Sequence, residues 1–153
     1  MPSADAFRPI SNSTGTKPTP GSFFDTNVLI TLASEDAAKA DRAEAVISGG
    51  GAISVQVLNE LANVARRKMR MSWQDTHALL SLLRGLLNVH SIAVETHEAG
   101  LALAERYNLA IYNAMIAASA IEADCDTLWS EDMQHGMVVD GRLRIVNPFR
   151  AAS

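Results

Sequence analysis

A short apolar run, Ser22-Phe23-Phe24, ends on the carboxylate of Asp25. Thr26 and Asn27 then offer turn and cap chemistry before a second apolar run begins at Val28. Strand, polar cap and helix in that order are the units of a parallel α/β sheet, where ligands bind at the carboxyl ends of the strands. A carboxylate at such an end is costly to bury unless something pairs with it, and a metal ion is the usual partner.

The same alternation continues down the chain. Ala52-Ile53-Ser54 reads as a second strand, Val89 to Val94 as a third and Thr127 to Ser130 as a fourth. Leu143 to Val146 reads as the last, preceded by a turn at Val138-Val139-Asp140-Gly141. Between them lie segments of helical period. Glu35 to Ser48 offers Ala38, Ala45 and Val46 as an inward face, and Gly49-Gly50-Gly51 stops it. Val55 to Met71 carries Val57, Leu58, Leu61, Ala65 and Met69 at helical spacing. Ser72 caps a leucine-rich helix, with Asp75 three residues on. Thr96 is expected to cap the next helix, which runs to Tyr107. Ile111 to Ala123 is small and apolar nearly all round, hence mostly buried. Strands alternating with helices predict an α/β fold, a parallel sheet with helices on both faces.

A chain of 153 residues fits one domain. Residues 1–21 differ from the rest: Pro, Gly, Ser and Thr punctuate a stretch too polar to offset its ordering entropy. They are expected to be a flexible leader, with the domain at 22–150. The net charge of −4 does not advertise a nucleic-acid binder, yet clustered carboxylates can mask a local basic patch. The single Cys125 can form no intrachain disulfide, which favours a cytoplasmic setting, and reads as a small buried hydrophobe. No apolar run reaches the ~20 residues of a membrane helix.

Two more carboxylates occupy places like that of Asp25. Glu60 lies in the first turns of the helix after the second strand, and Asp132 follows the fourth strand. Asn113 opens the late buried helix. In a parallel sheet such positions share one rim. Converging carboxylates repel and call for a cation, and oxygen ligands suit Mg²⁺ or Mn²⁺. Metal-assisted phosphodiester hydrolysis is the natural chemistry of that arrangement. Taken singly, each residue has a plainer role: Asp25 and Asn113 as helix caps, Glu60 as a solvated charge, Asp132 as a turn residue.

Together the residues carry a resemblance. Phe24-Asp25-Thr26-Asn27-Val28-Leu29, Ser54-Val55-Gln56-Val57-Leu58-Asn59-Glu60, Ile111-Tyr112-Asn113-Ala114-Met115-Ile116-Ala117-Ala118, Ser130-Glu131-Asp132-Met133-Gln134-His135-Gly136 and Ile145-Val146-Asn147-Pro148-Phe149 stand in order over residues 22–150. The chain closely resembles the PIN domain, in particular the VapC-type toxin ribonucleases of bacterial toxin–antitoxin pairs. That resemblance implies a three-layer α/β/α sandwich around a parallel sheet. It implies four acidic positions, falling on Asp25, Glu60, position 113 and Asp132, that hold Mg²⁺ or Mn²⁺ for RNA hydrolysis. Asn27 and Ser54 match polar positions beside the site. A homodimer and a small antitoxin protein, whose tail enters the site, are implied partners. The sequence departs from the family at one point: Asn113 stands where members carry Asp. Asn keeps the size and one carbonyl ligand but loses the charge. An engineered inactivating change is the preferred expectation, a natural weakening the other, because the word around it is intact.

Arg66-Arg67-Lys68-Met69-Arg70 is the densest basic run. Arg67 is about 700° beyond Glu60, within roughly 20° of its face and ~10 Å along the axis. Arg67 is therefore placed to meet an RNA phosphate, with a solvated helix end favoured by the C-terminal dipole as the equal alternative; Arg66, Lys68 and Arg70 point elsewhere, toward solvent or an antitoxin. Trp73 and the Leu79–Leu87 stripe read as core, with part of the stripe left to pack a dimer or an antitoxin helix. The function expected is a metal-dependent endoribonuclease toxin impaired by Asn113. The alternative is a non-catalytic PIN-fold module that binds RNA or protein.

Overall fold

Six strands build one sheet in the order β3-β2-β1-β4-β6-β5: β1 Ser22–Phe24, β2 Ala52–Ser54, β3 Asn88–His90, β4 Thr127–Trp129, β5 Val138–Val139 and β6 Leu143–Val146. The structure, a computed structural model, describes residues 21–150. Apart from Gly21, the expected leader lies outside the described residues.

The β3-β2-β1-β4-β6 ladder is parallel throughout, with Phe23 opposite both Ala52 and Leu128. Among the described residues only β5 runs antiparallel, paired to β6. Strand β5 departs from the sequence reading, in which its two residues, Val138 and Val139, belong to the turn signal. The turn itself is real: Asp140 and Gly141 both take positive φ, 54° and 65°, the hand that closes a hairpin.

Among the described residues six α-helices flank the sheet: α1 Thr26–Leu29, α2 Ala37–Ile47, α3 Val55–Arg67, α4 Trp73–Leu86, α5 Val94–Tyr107 and α6 Ile111–Glu122. A 3-10 turn, Ile30–Ala33, follows α1. Helix α6 is apolar on all sides because it packs against β2, β4, β6 and α5 at once. Phe23, Phe24, Ile53, Leu61, Ile116, Leu128 and Ile145 fill the core between these layers. Each fully buried side chain of that size contributes roughly 1.5–3 kcal/mol. Cys125 is buried as expected, and burial pushes its thiol up to about 11.

Several local expectations are corrected. Helix α2 turns Ala43 and Ile47 inward and leaves Ala38 and Ala45 exposed. Helix α3 ends at Arg67, short of Met71. Ser72 caps α4 as read, accepting from the Asp75 N–H at 3.0 Å. Thr96 sits inside α5 instead of at its cap: its hydroxyl accepts from the Ala93 N–H at 3.1 Å and donates to Glu122 at 2.8 Å. Trp73 is 61% exposed at the start of α4, with the Arg66 guanidinium stacked 4.2 Å from its ring centre.

Candidate active site

Strands β2 and β4 lie on opposite sides of β1, so the order in which the chain winds across the sheet reverses between β1 and β4. Their carboxyl ends are tied together where the Asp25 N–H donates to the Trp129 carbonyl at 2.9 Å. Open α/β sheets gather ligands at such a switch.

Asp25 is the N-cap of α1 and only 4% exposed. Its carboxylate accepts from the Thr26 N–H at 2.7 Å, the Ser130 hydroxyl at 2.8 Å and the Asn27 amide at 3.2 Å. The Ser130 hydroxyl also accepts from the Met133 N–H at 3.3 Å, fixing the turn that carries Asp132. Asn27 closes the ring by accepting from the Glu131 N–H at 3.0 Å. Burial holds the Asp25 carboxyl above its usual range. The Ser130 and Thr26 hydrogen bonds pull it back down, and the negative charges of Glu60 and Asp132 push it up.

Glu60 faces the same place from α3. One oxygen accepts from the Thr26 hydroxyl at 2.8 Å and the other from the Gln56 amide at 3.3 Å. The Gln56 amide also donates to the Tyr112 carbonyl at 3.2 Å, which joins α3 to the first turn of α6 beside Asn113. Asp25, Asn27, Glu60, Asn113 and Asp132 thus line one cavity of about 500 Å³, with Asn63 and Lys68 on its wall.

The donor set suits a hard cation: carboxylate oxygens from Asp25, Glu60 and Asp132, and the amide oxygen of Asn113. A buried carboxylate raised by its own burial and by like charges is the electrostatic situation a bound cation relieves. Among the described residues, no three Asp, Glu, His or Cys side chains converge tightly enough to clasp an ion as they stand. Glu60 is turned to Thr26 and Gln56, and Asp132 is exposed on the rim.

Two of the expected contacts stand elsewhere. Ser54 is fully buried and caps α3, accepting from the Val57 N–H at 3.4 Å, so it supports the helix instead of facing the cavity. Arg67 is exposed and does not line the cavity, whereas Lys68 does. Helix α3 packs against α1 and the 3-10 turn, and the ridge Glu60-Val64-Lys68 is the one turned toward them. Angular spacing alone favoured Arg67 because it ignores which ridge the neighbouring elements face. Arg66 donates to the Met71 carbonyl and stacks on Trp73. Sequence reading missed Thr26, Gln56 and Ser130. A hydroxyl one or two residues from Asp25 and Asp132 was the available signal for Thr26 and Ser130, and nothing local marked Gln56.

A model of the PIN domain matches residues 22–136. Among solved structures, a toxin–antitoxin complex from Klebsiella pneumoniae contains a similar chain at 26% identity and a TM-score of 0.65, covering 86% of this chain and 100% of that one. Mycobacterium tuberculosis VapC20, a sarcin-ricin loop cleaving toxin, shares 17% identity with a TM-score of 0.61, covering 73% of this chain and 90% of that one. VapBC2 from Rickettsia felis, bound to a DNA fragment from its promoter, shares 19% identity with a TM-score of 0.58, covering 81% and 96%. At these last two identities the likeness is one of fold. No curated protein sequence matches the chain.

Proposed function

The chain belongs to the PIN domain family, and on that premise we propose that it is an Mg²⁺- or Mn²⁺-dependent endoribonuclease toxin, weakened by Asn113. The observation that carries this reading is the single cavity lined by Asp25, Glu60, Asn113 and Asp132, which come from four separate segments of the chain. A divalent ion held there would place positive charge against a phosphoryl oxygen and acidify a water. The chain's own residues do the rest. Ser130, Asn27 and the Thr26 N–H fix the Asp25 carboxylate in one orientation. Thr26 and Gln56 fix Glu60. Lys68 supplies the cation that meets an RNA phosphate at the cavity wall. Asn113 keeps a carbonyl oxygen in place but brings no charge, so metal and activity are both weakened.

The partners follow from the same reading. The carboxylates invite a basic side chain, Arg above all, from a small antitoxin, and the similar Klebsiella pneumoniae chain is part of a toxin–antitoxin complex. Trp73, Leu82 and Val94 are exposed apolar side chains available to a homodimer interface. The setting proposed is the cytoplasm, with residues 22–150 as the functional domain. Among the described residues no helix is long and apolar enough to cross a membrane.

Asn113→Asp tests the reading. The folded variant is expected to cut RNA with Mg²⁺ or Mn²⁺, stop in EDTA and arrest growth on expression. A folded Asp variant that leaves varied RNAs uncut with either metal supports the alternative, a non-cleaving module that binds RNA or protein, which Asn113 favours.

A further inference from the structure

A second cavity, of about 730 Å³, adjoins the acidic one and shares Glu60 and Asn63 with it. Its chemistry is different. Gln56, Asn59 and Asn63 present side-chain amides, Ile92 presents an apolar edge, and Tyr112 stands at the rim with 70% of its surface exposed. No Lys or Arg lines it, and Glu60 forms part of its wall. The groove thus offers no cation to meet a phosphate, whereas the acidic cavity next to it has Lys68. A neutral planar group suits it. Amides offer both donors and acceptors, as a base edge requires, and an exposed ring offers a stacking face.

The two tyrosines make the contrast clear. Tyr107 spends its hydroxyl inside the fold, donating to the Asp140 carboxylate at 3.4 Å and accepting from the Asp140 N–H at 2.8 Å. Tyr112 makes no side-chain hydrogen bond among the described residues, and its backbone carbonyl is what Gln56 holds. Its ring is thus free to meet a ligand, while the adjoining residue, Asn113, lines the acidic cavity.

We propose that this groove is a nucleobase subsite, in which Tyr112 stacks on an unpaired base of the RNA next to the phosphate at the acidic cavity. Asn59, with Asn63, reads the edge of that base, the Gln56 NH2 being engaged by Glu60 and the Tyr112 carbonyl. The proposal rests on the ribonuclease reading and adds where sequence preference comes from. Continuity through Glu60 and Asn63 favours the substrate itself as occupant over a separate protein segment.

The test is fluorescence anisotropy with four labelled eight-nucleotide homopolymer RNAs and the full chain as it stands. Tyr112→Ala is expected to weaken binding of the preferred RNA by about 5–150-fold, the loss of one base–aromatic stack. Tyr112→Trp should restore it. Asn59→Ala should change the ranking of the four RNAs more than the mean affinity. Circular dichroism checks that each variant is folded, and Tyr112 is exposed enough that truncation leaves the core untouched. If Tyr112→Ala and Asn59→Ala bind all four RNAs as the parent does, while Lys68→Ala weakens all four, the subsite is overturned and the RNA reading stands. If the parent binds none of the four, both fall.

Discussion

Ser130 donates its hydroxyl to the Asp25 carboxylate at 2.8 Å, and both side chains are buried. The bond crosses from the end of β4 to the end of β1, so it joins the two strands at the switch of the sheet. Because Asp25 is held above its usual range, the folded chain keeps its proton to higher pH than the unfolded chain does. The stability from this group is therefore full below about pH 4 and falls as pH rises through the folded value. Ser130 limits that loss by favouring the ionised form.

Ser130→Ala is accordingly expected to cost about 1.5–3 kcal/mol near pH 7, the range for a hydrogen bond to a charged group. Toward lower pH, as Asp25 takes up its proton, the cost should shrink. Urea melts at neutral and at lower pH measure the difference. Equal costs at both would mean that the hydroxyl is not acting on the carboxylate's charge.

Gly51 carries a role beyond the helix stop that its run signals. The run Gly49-Gly50-Gly51 reads as a helix stop, and α2 does end before it. Gly51 has a second task that composition could not reveal. Its φ is +145°, and a Cβ there would lie 2.4 Å from the Ser22 carbonyl oxygen and 2.8 Å from the Phe24 ring. Gly51→Ala should therefore lose upward of roughly 1–3 kcal/mol from backbone strain alone. Gly49, with nothing near its missing Cβ, should accept Ala within about 0.5 kcal/mol. Thermal melts of the two variants give the comparison, and similar losses would show that the close approach at Gly51 relaxes freely.

The strand-then-helix order was legible because β1, β2, β4 and α6 are apolar over most of their buried length, Ser54 and Ser119 being the buried polar exceptions in β2 and α6. The four acidic-type positions were legible because each follows a strand or opens a helix, and the cavity does bring Asp25, Glu60, Asn113 and Asp132 together. What was not legible depends on tertiary direction. Ser54 points into its own helix cap, Lys68 replaces Arg67 at the cavity, and β5 exists only because β6 pairs with it. None of these is set by local spacing.

The Lys68 placement has its own consequence. Lys68→Ala should weaken RNA binding and flatten the plot of log affinity against log salt by roughly 0.7, the release of one counterion from a single strand. Arg67→Ala should leave that slope near the parent's. Anisotropy titrations at several salt concentrations decide between them. The opposite ranking would return the phosphate contact to Arg67.

Asn113 offers the sharpest check on how the cavity is charged. Glu60 and Asp132 already act on Asp25 as like charges. A further carboxylate at position 113 adds to that repulsion, so Asn113→Asp should lower the melting temperature in EDTA. The same added charge should strengthen Mg²⁺ binding by roughly 1.5–3 kcal/mol, or about 10–150-fold in affinity. The Asp form should therefore melt lower than the parent without metal and gain more from Mg²⁺ than the parent gains. The two effects have opposite signs in one cavity, which separates them from a general loss of packing, since a packing defect lowers both melts alike. Equal Mg²⁺-induced shifts in the two proteins would mean that position 113 lies outside the reach of the ion. The first turn of α6 would then serve only to hold Gln56 through the Tyr112 carbonyl.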